Sequence, residues 1–345
     1  MRNSWSSTKP GRKHHPPVSP GRPRSVWPHR LAVLTAGATL LLIFVGGLVT
    51  NTGSALAVPD WPTTFGYNMF LYPWSKMVGG VLYEHSHRLI GSVVGMLTVA
   101  CALGLWLTEP RKSVRLLGVV AVVLVIVQGI LGGLRVVLLE HGLAIIHGCV
   151  AQAFLALMVS LATFTSSWWT TAASAPPVRD PYLRKLGLLV SPLVYLQIVF
   201  GALVTHTGRR VDAHVFFAAV VTVCVGLVAR RILAEHADQR AVRAPASGAS
   251  ALGAPVLALL GLLAFQLVLG FLAYLCRFTV LGAALPPALS LLLPTTHRLV
   301  GALMLASAVV LTLRILRLHA GAAAPLSDAT QRRHSVPLRQ NEVSA

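Results

Sequence analysis

The chain has 345 residues, 55% of them hydrophobic and only 11% charged, with a mean hydropathy of +0.70. Soluble domains carry roughly a quarter charged residues, so an ordinary soluble globule is excluded. The 29 lysines and arginines against 10 acids give a net charge of +19, which alone would invite a nucleic-acid reading.

A bilayer-crossing helix needs about 20 mainly apolar residues. Residues 1–30 hold no acid, six prolines and no apolar run, and read as a disordered basic cytoplasmic tail without a cleavable signal peptide. Apolar spans then follow at Leu31–Thr50, Glu84–Leu107, Leu116–Leu139, Gly142–Phe164, Leu186–Thr205, Asp212–Ala229, Leu252–Cys276 and Thr295–Leu313. Only Glu140 and His141 separate the third span from the fourth, and the sixth is short and runs into Arg230 and Arg231. Ala241–Ser250 and the tail after Ala320 read as flexible material. The expected fold is all-α and integral to the membrane, with eight transmembrane helices.

The basic residues set the orientation. Twenty-two of them fall in the two tails and the 2–3, 4–5 and 6–7 connections, against five on the other side: Lys76, Arg135, Arg209, Arg210 and Arg277. Both termini are therefore expected in the cytoplasm. The charge is a topology signal, and no nucleic-acid partner is needed.

The chain also repeats itself. Gly46-Gly-Leu-Val-Thr-Asn-Thr-Gly53 closes the first span and Gly201-Ala-Leu-Val-Thr-His-Thr-Gly208 closes the fifth, with six of eight positions identical. A shorter unit ends the third, fifth and seventh spans: Gln128-x-x-x-Gly132, Gln197-x-x-x-Gly201 and Gln266-x-x-x-Gly270. His297-Arg298 opens the eighth span as His87-Arg88 opens the second. Two pseudo-symmetric four-helix bundles are expected, an N-terminal half at 31–166 and a C-terminal half at 186–316. A cytoplasmic linker at 167–185 joins them, and a tail at 317–345 follows.

Seven of the 13 histidines lie at the outer ends of the spans, and His87, His147, His214 and His297 fall one on each even-numbered span. A lone histidine there is most often an interfacial anchor. Four at one depth, two per half, suit two bis-histidine haems held between facing helices. Zinc, the rival, favours a tighter cluster of ligands. Only the first half carries an acid near its ligand: Glu84, three residues before His87 and on the same helical face. Glu84 suggests chemistry at the first site and electron transfer at the second; simple pairing with Arg88 is the alternative. Arg88, Arg135, Arg209, Arg210 and Arg298 are candidates to meet haem propionates, with interfacial snorkelling as the alternative.

These residues together resemble the heme A synthase family, over roughly Leu31 to Leu316. The most specific pieces are Gly46 to Pro62, ending Val-Pro-Asp-Trp-Pro; Glu84-His-Ser-His-Arg88; Leu131-Gly-Gly-Leu-Arg135 with His147; Gly201–Gly208 with His214; and His297-Arg298. The resemblance implies an oxidoreductase that converts the C8 methyl of haem O to the formyl group of haem A. It implies that His87 and His147 hold the substrate haem, with Glu84 as acid/base, and that His214 and His297 hold a permanent haem b. Implied partners are haem O synthase (protohaem farnesyltransferase), cytochrome oxidase assembly and an unidentified electron donor, in a bacterial inner membrane. A second copy of the chain is a further candidate partner. Many members carry a cysteine pair in the first outer loop, one directly before Pro-Asp-Trp-Pro; here that position is Val58, and no cysteine lies between Thr50 and Tyr83. Cys101, Cys149, Cys224 and Cys276 lie in or at the end of apolar runs and read as small apolar side chains. Two other classes stay open: a dihaem b-type cytochrome that moves electrons without altering haem, and a haem or metal transporter.

Overall fold

The structure is a computed structural model that describes residues 25–172, 178, 180–242 and 251–320. Its long helices are α1 (Trp27–Asn51), α2 (Gly80–Thr108), α3 (Lys112–Leu138), α4 (His141–Thr165), α5 (Pro181–Thr207), α6 (Val211–Val242), α7 (Gly253–Phe278) and α8 (Pro287–Ala320). All eight are long and apolar enough to cross a membrane. Among the described residues there is no strand. The tails 1–24 and 321–345, and residues 243–250 of the stretch expected to be flexible, lie outside the described residues.

Most helices run a turn beyond their expected limits, and two overrun them furthest. The sixth continues through Arg230 and Arg231 to Val242, so Ala241 and Val242 are helical. The eighth begins at Pro287, eight residues before Thr295, and passes through Pro294 without stopping. Proline inside a helix removes one backbone donor, and Thr295 Oγ1 supplies a nearby one by bonding the Leu291 carbonyl at 2.7 Å. Helix ends elsewhere follow local chemistry. Gly208 closes α5 in the left-handed region (φ 66°), and Leu139 (φ 58°) makes the tight α3–α4 turn.

The packing is two-fold. In each half the helices contact in the same order: α1–α2, α2–α3, α3–α4 and α1–α4, matched by α5–α6, α6–α7, α7–α8 and α5–α8. The halves meet through α1–α8, its mate α4–α5, and α4–α8 on the axis. This is the parallel repeat expected from the doubled motifs, with its axis along the helices. The two axial helices supply much of the core: Phe154, Leu155, Met158 and Leu161 from α4, and Leu305, Ala308, Leu311 and Ile315 from α8.

At the end near the termini, polar contacts knit the bundle. Asp180 caps α5 by accepting from Tyr182 N (2.9 Å), and it also binds Arg231 of α6 (2.8 Å). A short helix, Ser167–Thr171, lays Trp168 and Trp169 under Arg314 and Arg317 of α8, at 4.5 and 5.3 Å. These cation–π contacts tie the linker between the halves to the axial helix.

Candidate functional site

The four even-helix histidines all lie near the end of the bundle away from the termini. Each ring sits against a glycine of the preceding odd-numbered helix. A Cβ added to Gly46, Gly132, Gly201 or Gly270 would stand 2.9, 3.3, 3.1 or 2.9 Å from Cε1 of His87, His147, His214 or His297. A side chain in any of these places would push the ring away.

In every case Nδ1 lies nearer the glycine than Nε2 does. All four Nδ1 atoms are buried and lack a full hydrogen bond. Each ring instead faces, more loosely, the backbone carbonyl four residues before its glycine: Leu42, Gln128, Gln197 or Gln266. A carbonyl behind Nδ1 is the usual orienting group for an imidazole that binds metal through its other nitrogen.

The rings pair within each half. His87 and His147 have centroids 6.4 Å apart, and His214 and His297 have centroids 6.2 Å apart. A metal-bound imidazole nitrogen lies about 2 Å from its ion, so two rings on opposite sides of one ion put their centroids roughly 6 Å apart. Both pairs fit a bis-histidine iron. Among the described residues no three His, Cys, Asp or Glu converge as a metal cluster.

The halves differ above these rings. In the first half the α1–α2 loop folds over the start of α2 and is held there by a buried ion pair. Glu84 accepts from Arg88 at 2.8 Å and from the Val58 amide at 3.0 Å. Arg88 also donates to the carbonyls of Val58 (3.0 Å), Asp60 (2.7 Å) and Thr63 (3.0 Å). The sequence assigns Arg88 to a haem propionate; the structure commits both its terminal nitrogens to the loop and to Glu84. The pairing alternative for Glu84 is therefore present in the geometry.

Asp60 shapes the loop tip, accepting from Thr63 Oγ1 and from the amides of Phe65 (2.7 Å) and Gly66 (2.9 Å). Phe65 and Gly66 both have positive φ, 50° and 76°. Burial pushes the Asp60 carboxyl up, but the bonds from Gly66, Thr63 and Phe65 outweigh it and hold its pKa down to about 2. A depressed carboxylate contributes stability above its unfolded pKa of roughly 4, lost as the pH falls toward the folded value. The loop tip should thus stay closed across neutral and mildly acidic pH.

Val58 is fully buried, and its amide and carbonyl both join the Glu84–Arg88 pair. Hydrogen bonds hold the loop here with no cysteine in it. Cys101, Cys149 and Cys224 are buried and all four cysteines are free. Replacing all four by alanine or serine should cost some packing stability and leave the α1–α2 loop as well protected from proteolysis as in the wild type. A loop that is protected only when one cysteine pair is restored would contradict this.

Three loop contacts escaped the sequence reading. Trp61 lies on Gly133, where an added Cβ would fall 2.4 Å from the indole. Thr64 Oγ1 meets buried His85 Nδ1 at 3.2 Å, and Tyr72 packs on the same ring at 5.1 Å. The Gly132-Gly133 doublet was the available signal: one glycine faces the His147 ring, the other the loop. Gly133→Ala should lift the loop, overpacking of this kind costing about 1–3 kcal/mol. Faster proteolysis between residues 58 and 79 would report it; an unchanged cleavage rate would show that Trp61 simply moves aside.

The remaining arginines divide. Arg135 is half-buried with no hydrogen-bond partner among the described residues, within electrostatic reach of Glu84, His87 and His147. Arg298 lies where the halves meet, close to Arg135 and Arg277, with one long bond to Thr50 Oγ1 (3.4 Å). Beside it Asn51 of α1 bonds Thr295 of α8 at 2.8 Å. Arg209 and Arg210 line an open cavity of about 540 Å³ with Leu203 and Thr207.

The family model described as cytochrome oxidase assembly protein (COX15-CtaA) matches residues 29–330. Similar curated proteins include a heme A synthase of Shouchella clausii (strain KSM-K16), 35% identical over 185 residues, or 52% of this chain and 59% of that protein. Another, from Alkalihalophilus pseudofirmus, is 27% identical over 179 residues, covering 51% of this chain and 59% of the relative. The chain thus spans about three fifths of the length of these relatives. With the family model covering nearly all of the eight-helix region, the chain belongs to the COX15-CtaA family of cytochrome oxidase assembly proteins.

Proposed function

We propose that this protein is a haem A synthase of a bacterial membrane, oxidising the C8 methyl of haem O to a formyl group. The observation that carries this reading is the pair of matched histidine sites, only one of which has a buried carboxylate, Glu84, one turn away on the same helix. The names of the relatives support the same activity.

In this reading His87 and His147 hold the substrate haem, and His214 and His297 hold a resident haem b. Haem b, when bound, supplies a one-electron relay between an external donor and the substrate site. The protein's own residues do the rest. Apolar helix faces exclude water from both ring pairs, and the α1–α2 loop covers the first. Arg135 and Arg298, which form no ion pair among the described residues, offer themselves to propionates. Two hydroxylations of the methyl group, each consuming one dioxygen, two electrons from the donor and two protons and releasing one water, followed by loss of water from the gem-diol, give the aldehyde. Glu84 takes and returns protons there, and Arg88 holds it in place between turnovers. Haem O synthase would supply the substrate, and cytochrome oxidase assembly would consume the product.

Expression in a host that makes haem O but no haem A tests the proposal. Haem A should appear in membranes holding this chain and be missing without it. Its absence despite full insertion would favour the dihaem electron carrier.

A further inference from the structure

The two-fold repeat makes one departure visible. In three of the four ring sites, the residue four positions before the ring-facing glycine is a glutamine. Gln128 donates its amide to the His147 carbonyl at 3.1 Å, and Gln197 donates to the His214 carbonyl at 2.9 Å. Gln266 places its amide nitrogen against Gly301, one turn beyond His297, at 3.2 Å from an added Cβ. Each of these glutamines comes from the helix that also supplies the glycine; Gln128 and Gln197 staple the ring's own backbone to that helix, and Gln266 sets its amide against the next turn of α8.

At the fourth site the glutamine is replaced by Leu42. It occupies the same place: its Cδ1 lies 4.0 Å from a Cβ added to Gly91, one turn beyond His87, just as Gln266 lies against Gly301. A methyl group stands where the other sites have an amide donor. The His87 segment is therefore the one segment of the four without the cross-helix amide. Its own helix is tethered to the loop instead, through Glu84 one turn before His87 and Arg88 directly after it.

This asymmetry bears on a chemical problem. A metal held by two histidines has no open position, and turnover at the substrate site needs one. We propose that His87 is the displaceable ligand of the first site, because Leu42 withholds the glutamine amide that stands at the other three and that staples its partner His147; this rests on the reading of the site as a haem site. His147, stapled by Gln128, stays in place, and the His87 ring swings off on its own side chain while Glu84 and Arg88 keep the start of α2 on the loop, leaving an open position where the ring stood. The matching ligands of the second site, both with glutamine partners, hold a closed site suited to electron transfer alone. No bond other than the histidine–metal bond breaks, and the imidazole leaves neutral.

Carbon monoxide uptake by the reduced, haem-loaded full chain reads the open position directly, without turnover. Wild type should bind carbon monoxide at its first-site haem and not at the second. Leu42→Gln supplies the missing staple and should lower that uptake about fivefold, the equilibrium change from one net hydrogen bond. Leu42→Met, similar in size but without the amide, should leave it near wild type. In the opposite direction, Gln197→Leu should make the second haem reactive toward carbon monoxide, and this variant serves if Leu42→Gln fails to insert. Haem content is measured on the same samples. A chain that binds no haem overturns the haem reading itself. A fully loaded chain whose carbon monoxide uptake is unmoved by Leu42→Gln and by Gln197→Leu overturns the assignment of His87.

Discussion

Replacing His214 or His297 by alanine should remove the haem b spectrum while leaving the first site able to hold its substrate. Replacing His87 or His147 should do the reverse. The separation follows from the packing, since each ring pair belongs to one half and the pairs share no ligand. Loss of a metal ligand removes a whole coordination bond, so the expected effect is near-complete loss of the affected haem. Pigment content and reduced-minus-oxidised spectra of the four purified variants check it. Four variants with wild-type haem content and spectra would refute the ligand assignment.

Glu84→Gln should abolish turnover while keeping the haem load. The amide keeps the size of the side chain but has only one acceptor oxygen, where the carboxylate serves both the Val58 amide and Arg88. Breaking a buried ion pair by removing one partner costs about 3–5 kcal/mol, so some loosening of the loop is expected as well. Thermal stability and haem load must therefore be measured beside activity. Accumulation of haem O or a hydroxylated form in an inserted, haem-loaded protein supports proton transfer by Glu84. Wild-type haem A yield would reduce Glu84 to a clamp for Arg88.

The eight helices were legible because an apolar run long enough to cross a bilayer leaves little else for the chain to do. Their ends were less legible. The eighth span was expected to begin at Thr295, yet α8 starts at Pro287 and runs through Pro294, held by packing partners in both halves. The histidines were legible by position, one per even-numbered helix. What they lean on was visible only as a pattern: the Gln-x-x-x-Gly unit could be counted, but its glycine shows its use only when a ring lies on it. The clamp on the α1–α2 loop was hidden for a plainer reason. Arg88 binds three backbone carbonyls, and carbonyls carry no residue identity.

The central claim is that the two ring pairs hold different haems for different work. Mass analysis of the haem extracted from the purified chain, produced with an ample supply of haem O, tests it most directly. The account predicts haem b together with a similar amount of haem O, its hydroxylated forms or haem A. In the His297→Ala variant the haem b should be the part that disappears. Haem b as the sole pigment, with no other haem even when haem O is abundant, would contradict it.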